Sequence, residues 1–319
     1  MQRQPINHRR RSRHDRALRV VGGTVTLGLA GVIIAAGLVA TDTFGAGGLY
    51  DRAVARIDRI LAGPVPERSA PATVLIADPA DETDAPDATP TSSAGILPGG
   101  SGRSATPAPT AARVAVDVDI VSDPKAVFAH EIKDTWCASA GVQMTLAVLG
   151  KGNISNAFQR ELQGRVHEWE SYADSHNGDW GPSAMALALE AYGVKGYEVR
   201  AYTTRTGALR DAARAIEKTH SPVLLLAWKG AHTWVMTGFR ADADPAVFSN
   251  AKIAGTYILD PWYPTVSTIW GPSDPPGTFQ DTAEMIRNYL PWKRPEGTYG
   301  ARDGRFIAVV PTIVAGSGS

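Results

Sequence analysis

Cysteine is almost missing from this sequence, because its 319 residues include a single one, Cys137. One thiol cannot close a disulfide within the chain, which excludes a fold held together by such bonds. Net charge is missing as well, since 32 Lys and Arg residues balance 32 Asp and Glu residues. That balance lacks the basic character of nucleic-acid-binding proteins, so we expect no nucleic-acid partner. The lone thiol is either a small buried apolar residue or a reactive group, and its surroundings must decide between the two.

Charge is missing most completely from residues 20–41, VVGGTVTLGLAGVIIAAGLVAT, which follow an arginine-rich lead in residues 1–19. A helix of this length spans about 31 Å, which matches the hydrocarbon core of a bilayer. The positive-inside rule then places the N-terminus in the cytoplasm. The alternative is a cleaved signal peptide, whose apolar region is usually only about 7–15 residues long. We predict a basic cytoplasmic tail (1–19), one transmembrane helix (20–41) and a single-pass cell-membrane protein whose remaining chain lies outside the cytoplasm.

Aromatic residues are scarce in residues 64–112, which are rich in Pro, Ala, Thr, Ser and Gly. Such a composition buries too little apolar surface to fold, so we predict a disordered linker. Residues 42–63 before it carry apolar residues at helical spacing, which predicts a juxtamembrane helix. All eight tryptophans lie between Trp136 and Trp292. We therefore assign residues 113–319 to one folded domain.

Within this domain, the hydrophobic patterns predict helices first and a sheet later. Helices are indicated by apolar periodicity with capping signals, and strands by alternation or by short apolar runs. The predicted helices cover residues 135–149, 182–192, 208–218 and 282–289, and the predicted strands cover residues 197–202, 223–228, 233–239, 256–259, 266–270 and 305–310. This order favours an α+β domain over alternating β-α-β units.

Cys137 stands at the beginning of the strongly apolar segment DTWCASAGVQMTLAVLG, with Asp134 or Thr135 as the expected helix cap. The first turn of a helix presents backbone N–H groups and a partial positive charge. Both favour a thiolate, which is the nucleophilic form of cysteine. The three residues after the cysteine are small, so a substrate backbone could approach it. This setting favours a reactive thiol over an inert buried one.

A thiolate nucleophile also needs a proton shuttle and a group that orients the shuttle. His232 opens the apolar segment HTWVMTGF after a predicted turn at residues 229–231, and Asp260 ends the segment TYILD. If the two predicted strands are neighbours, the imidazole and the carboxylate meet at one end of the sheet. Each residue also has a plainer interpretation, His232 as an ordinary strand histidine and Asp260 as the start of a turn.

Taken together, TWCASAGVQM, HTWVMTGF and LDPW resemble the papain-fold cysteine peptidases, and most of all the bacteriocin-processing (double-glycine) peptidase type and its stand-alone relatives. The resemblance covers roughly residues 127–310 and includes the chain order Cys, His, Asp. It implies a papain-like fold, with the cysteine on a helix and the other two residues on an antiparallel sheet. It also implies hydrolysis of peptide bonds in a peptide or protein substrate. Cys137, His232 and Asp260 would then be the catalytic residues, and no cofactor or metal would be needed.

One position departs from the pattern of this family. The family usually carries a glutamine a few residues before the cysteine, which donates to the oxyanion, whereas Glu131 stands there in HEIKDTWC. A carboxylate accepts hydrogen bonds and donates one only when it is protonated. His130, Lys133 and the backbone N–H of Cys137 are the other candidate donors. Two hypotheses therefore stay open: an active cysteine peptidase, or a weak or inactive papain-fold module that binds a peptide or cell-wall ligand.

Overall fold

The computed structural model describes residues 46–77, 112–176, 178–293 and 296–312. The predicted tail and transmembrane helix, residues 1–41, lie outside these ranges. No helix within the described ranges is both long and apolar enough to cross a membrane. The chain forms two compact units, and the first contains helix α1, Ala46–Leu61, which falls inside the segment predicted as a juxtamembrane helix. The second unit contains the other helices and strands of the described chain.

The second unit is built on a mixed sheet. Its strands and those of one small hairpin span β1 Val74–Ile76, β2 Val116–Asp119, β3 Tyr197–Tyr202, β4 Val223–Ala227, β5 His232–Ala241, β6 Ile253–Leu259, β7 Val266–Ser267, β8 Gly271–Pro272, β9 Thr278–Asp281 and β10 Phe306–Pro311. The order in the sheet is β1-β3-β10-β4-β5-β6-β9, and β2 pairs with the second half of β5. Strand β1 runs parallel to β3, whereas the other described pairs are antiparallel.

Helices cover both faces of this sheet. They span α2 Pro124–Val127, α3 Cys137–Val148, α4 Asn156–Gly164, α5 Pro182–Ala191, α6 Arg205–Thr219 and α7 Thr282–Asn288. Because successive side chains of a strand point to opposite faces, Val223 and Leu225 of β4 pack in one apolar cluster with α6, while Leu224 and Leu226 pack in another with α3 and α5. All five residues of β4 are buried, as a strand covered on both faces requires.

The predicted α+β class is confirmed, although the predicted order of elements is partly wrong. Helices predicted at residues 135–149, 182–192, 208–218 and 282–289 coincide with α3, α5, α6 and α7. Strands β1 and β2, however, precede α3, and α6 lies between two strands of the sheet. The strand predicted over residues 266–270 is reduced to the two residues of β7. The sequence predicts neither α4 nor β2 nor β9, which are only nine, four and four residues long, although the Val and Asp residues of β2 do alternate.

The predicted linker, residues 64–112, is wrong for its first part, because residues 66–76 pack on the domain. Strand β1 pairs with β3. The Arg68 guanidinium donates to the carbonyl oxygens of Glu170 and Glu168, at 2.7 and 2.8 Å. These bonds order a segment that has few apolar side chains to bury, and its composition does not reveal them.

The folded domain therefore begins at about residue 63 and not at residue 113. A further hydrogen bond ties the segment to helix α5, where Ser183 Oγ donates to the carbonyl oxygen of Pro71 at 3.0 Å. The rest of the predicted linker, residues 78–111, lies outside the described residues.

Candidate active site

Cys137 is the first residue of α3, the helix that packs against β4 and β5. The predicted caps Asp134 and Thr135 are wrong, because Trp136 holds the N-cap position and makes no side-chain capping bond. The thiol is partly exposed, and its Sγ lies 4.0 Å from the carbonyl oxygen of Ala231. A nucleophile at this place is open to a substrate and lies at the positive end of a helix.

Gly141, one turn after Cys137, determines how closely α3 approaches the sheet. A Cβ atom at this position would lie 2.8 Å from Cγ2 of Thr233 and 3.4 Å from Cδ2 of Leu224. Thr233 is buried and directly follows His232 in β5. The missing side chain therefore lets the helix that carries the thiol pack closely on the strand that carries the imidazole.

His232 is the first residue of β5 and follows a tight turn from β4. In this turn φ is positive at Trp228 (51°), Lys229 (63°) and Gly230 (84°), which is unfavourable for the two residues that carry side chains. Contacts on two sides hold Trp228 in this conformation. Its indole Nε1 donates to Oδ1 of Asn288 at 3.1 Å, and its ring stacks on the imidazole of His232 with the centroids 4.1 Å apart. The strained turn thus places an indole face against the histidine.

Asp260 directly follows β6, and its carboxylate binds the imidazole of His232. Nε2 of His232 lies 2.7 Å from Oδ1 of Asp260, and the same oxygen accepts the backbone N–H of Trp262 at 2.9 Å. The antiparallel pairing of β5 with β6, Val235↔Leu259, brings the beginning of one strand beside the end of the other. Asp260 is therefore both the start of a turn and the partner of the histidine, so the two interpretations of this residue are compatible.

Burial and charge act in opposite directions on the pKa of His232, which is 3% exposed. Burial lowers this pKa, because desolvation penalises the imidazolium. The negative charge of Asp260 and the hydrogen bond to it raise the pKa, and so do the hydrogen bond and the charge of Cys137. The raising effects are larger, and the pKa of His232 lies well above its ordinary value. Asp260 and Cys137 together therefore favour the protonated form of the His232 imidazole.

Glu131 lies beside Cys137 and His232, although a loop carries it. It is 2% exposed, and one side-chain ligand atom from each of the three residues lies within 4.8 Å of the other two. Its backbone N–H donates to the carbonyl oxygen of Pro261 at 3.0 Å, which ties this loop to the residue after Asp260. The structure therefore places a carboxyl group near the thiol.

His130, another candidate donor to an oxyanion, is engaged by the loop after β6. Its Nδ1 lies 3.0 Å from the carbonyl oxygen of Pro261 and 2.9 Å from that of Tyr263. Gln159 of α4 fixes the same segment, since its Oε1 accepts the N–H of Ile132 at 2.8 Å and its Nε2 donates to the carbonyl oxygen of His130 at 3.0 Å. These bonds make His130 a residue that positions the loop before the thiol.

Trp228, Trp262 and Trp270 form a cluster next to the histidine, and no sequence pattern singles them out. Trp228 lies between His232 and Trp270, whose ring is nearly parallel to it at 5.7 Å. Trp262 meets both Trp228 and His232 edge-on, at 6.1 and 6.3 Å. No periodicity signals this cluster, because it depends on the turn before β5. The one available hint is that Trp228 precedes His232 by a single turn of chain.

The structure brings together the residues that the sequence singles out, Cys137, His232, Asp260 and Glu131. Asp260 binds Nε2 of His232, which leaves Nδ1 to exchange a proton with the thiol. Both His232 and Asp260 are buried, whereas the thiol is partly exposed. A thiol, a proton carrier and an orienting carboxylate are the groups that nucleophilic acyl transfer requires.

No family model matches this sequence, and no curated protein matches it. A solved structure similar to this chain is the crystal structure of a double glycine motif protease from an AMS/PCAT transporter in complex with the leader peptide. The two chains are 16% identical, the match covers 58% of this chain and 91% of that chain, and the TM-score is 0.29. So slight a similarity supports no statement about this chain, whose function must be argued from its own site.

Proposed function

We propose that this protein is a papain-like cysteine peptidase that hydrolyses peptide bonds in a peptide or protein substrate. The observation that carries the proposal is the arrangement of Cys137, His232 and Asp260, in which the buried carboxylate binds one nitrogen of an imidazole that lies next to a partly exposed thiol. The resemblance of the segments around these residues to papain-fold peptidases supports the same function.

In this mechanism the Cys137 thiolate attacks the carbonyl carbon of the scissile bond. The His232 imidazolium gives the proton on Nδ1 to the leaving amine, and a thioester remains on the enzyme. Water then attacks the thioester while Nδ1 takes its proton, which releases the acid and restores the thiolate. Asp260 keeps the ring in place throughout, because its carboxylate holds Nε2–H. Transfer to an amine in place of water would use the same groups.

The second candidate is a catalytically weak or inactive module that binds a peptide or cell-wall ligand, and Glu131 is the residue that favours it. The negative charge that develops on the carbonyl oxygen needs hydrogen-bond donors. A carboxylate at this place would repel the charge, whereas a protonated carboxyl group could donate to it. The backbone N–H of Cys137 is a further donor, since it lies in the first turn of α3.

Labelling with a thiol-directed active-site probe and assay of peptide hydrolysis together test the proposal. We expect labelling of Cys137 in the native protein and loss of turnover in both Cys137→Ser and His232→Ala. The double variant should lose little more than either single variant, because each change disables the same step. A native thiol that reacts no faster than a small-molecule thiol would leave the binding module as the better hypothesis.

Glu131→Gln tests the place of this residue in the peptidase. An amide donates at any pH, so the variant should match or exceed the wild type, and its advantage should shrink as the pH falls and the carboxyl group becomes protonated. Glu170→Gln, a change at another buried carboxylate, controls for general effects of removing a buried charge. An equal loss of activity in both variants at every pH would contradict a role for Glu131 near the oxyanion.

The location of the enzyme is also a proposal, and it rests on sequence alone. The arginine-rich lead and the uncharged run at residues 20–41 support a single membrane helix with the peptidase domain outside the cytoplasm. Protease added to intact cells should then release a fragment that contains the domain. A domain that is protected until the cells are lysed would show the opposite orientation, and a mature N-terminus near residue 41 would identify a cleaved signal peptide.

A further inference from the structure

Glu131, Cys137 and His232 bring three different kinds of ligand atom close together. A carboxylate oxygen, a thiol sulfur and an imidazole nitrogen lie within 4.8 Å of one another. These are the atoms that bind zinc in proteins, at about 2.0–2.3 Å from the metal. In a tetrahedral site, bonds of this length leave the ligand atoms about 3.3–3.7 Å apart. A side-chain movement of roughly 1 Å would therefore be enough to close the three groups around an ion.

Asp260 supplies a second and independent indication. Histidines that bind metals usually donate their other ring N–H to a carboxylate, which fixes the ring and increases the basicity of the ligand nitrogen. Nε2 of His232 lies 2.7 Å from Oδ1 of Asp260, so Nδ1 is left for the metal. Asp260 is not one of the three ligands, and it contacts His232 on the nitrogen opposite to the one that faces them.

Exposure and charge also fit a bound cation. Glu131 and His232 are 2% and 3% exposed, whereas Cys137 is partly exposed. Solvent can therefore reach the group from the thiol side, where a fourth position would take water, as it does in zinc sites with three protein ligands. A thiolate and a carboxylate together balance the two positive charges of the ion.

We propose that Glu131, Cys137 and His232 form a reversible Zn²⁺ site, and that the ion inhibits the enzyme while it is bound. Binding occupies the thiolate and Nδ1 of His232, so that neither the nucleophile nor the proton carrier is available to a substrate. The inhibition rests on the proposed peptidase function, whereas the binding does not. Glu131 suits this site better than glutamine would, because a carboxylate brings a negative charge to the metal and an amide brings none.

Direct binding to the intact protein tests the site without an activity assay. Titration calorimetry measures Zn²⁺ affinity, and Co²⁺ serves as a spectroscopic substitute because a cobalt–thiolate bond absorbs in the near ultraviolet. We expect this band in the wild type and its loss in Cys137→Ser. Glu131→Gln should weaken Zn²⁺ binding by about tenfold or more, and Asp260→Asn by about 10–100-fold. His167→Gln changes an exposed histidine outside the site and should bind Zn²⁺ as the wild type does.

The possible results separate this proposal from the peptidase proposal. An absent Co²⁺–thiolate band, or Zn²⁺ affinity that is unchanged in a folded Glu131→Gln variant, would overturn the metal site. Weakened Zn²⁺ binding in the His167→Gln variant would also overturn the metal site, because surface histidines would then hold the ion. If Glu131→Gln does not fold, the wild-type and Cys137→Ser spectra decide. Zn²⁺ binding with the expected pattern in a protein without hydrolytic activity would leave the metal site standing and refute the peptidase. A protein that hydrolyses peptides and binds no Zn²⁺ would support the peptidase proposal and refute the metal site.

Discussion

Gly141→Ala should move the thiol away from the imidazole without changing either group. The new Cβ would lie 2.8 Å from Cγ2 of Thr233, whereas ordinary contact begins near 3.4 Å. The difference, 3.4 − 2.8 = 0.6 Å, must come from a shift of α3 or of β5. The Thr233 side chain cannot easily turn away, because it is buried and β-branched. The strand that would have to move is the one that begins at His232.

The expected size of the effect follows from this distance. Overfilling a packed site costs about 1–3 kcal/mol, and alanine recovers about 0.5–1 kcal/mol of that through its better helix propensity. We therefore expect the free energy of unfolding to fall by up to about 2.5 kcal/mol. A misplacement of about 1 Å can cost roughly 100-fold in rate, so a shift of little more than half that size should lower kcat/KM by about tenfold.

Two further variants show whether the contact itself is responsible. Thr233→Ser removes Cγ2, so the double variant Gly141→Ala/Thr233→Ser should recover both stability and kcat/KM, which a double-mutant cycle measures. Gly164→Ala, at the end of α4 where a Cβ would meet nothing within 4 Å, should leave kcat/KM unchanged and should not lower the free energy of unfolding, because only the helix-propensity gain applies there. Urea unfolding and peptide hydrolysis are the assays. A stable and fully active Gly141→Ala variant, or one that Thr233→Ser does not rescue, would refute the argument that this packing fixes the distance between thiol and imidazole.

Three further predictions concern other contacts of the structure. Asp260→Asn removes a negative charge that raises the pKa of His232, so the imidazole should lose its proton at a lower pH. The alkaline limb of the pH profile of kcat/KM should therefore move to lower pH. An unmoved limb would contradict this origin of the raised pKa. Trp228→Leu removes the ring face from the imidazolium, a contact worth about 0.5–2 kcal/mol, and should lower kcat/KM roughly 2–30-fold, whereas Trp228→Phe should retain most of the activity. A protein that begins at residue 78 should have a free energy of unfolding about 1 kcal/mol or more below that of a protein that begins at residue 63, because buried partners of the removed segment lose their hydrogen bonds. Urea unfolding measures this difference, and equal stability would show that the segment adds nothing to the fold.

Local features of the site could be predicted from the sequence, because each depends on neighbours along the chain. The position of Cys137 at a helix start follows from the apolar run behind it, and that of His232 at a strand start follows from the turn before it. The meeting of His232 with Asp260 required an assumption, that two predicted strands are neighbours, and the pairing of β5 with β6 supports it. Neither the left-handed backbone of Trp228 nor the ordering of residues 66–76 could be predicted, because both depend on partners far away in sequence.

The charged groups of the site connect its two proposed states, the active peptidase and the form inhibited by Zn²⁺. Asp260, Glu131 and Cys137 are three groups that are negative when deprotonated, they face one imidazole, and both carboxyl groups are buried. Like charges in a buried site are unfavourable, and either a proton on Glu131 or a divalent cation would relieve them. The proton makes Glu131 a donor for the oxyanion, whereas the cation occupies the thiolate and the imidazole. Zn²⁺ ligands must be deprotonated, so inhibition by a fixed Zn²⁺ concentration should weaken steadily as the pH falls. Inhibition that strengthens at lower pH would contradict competition between protons and metal for these residues.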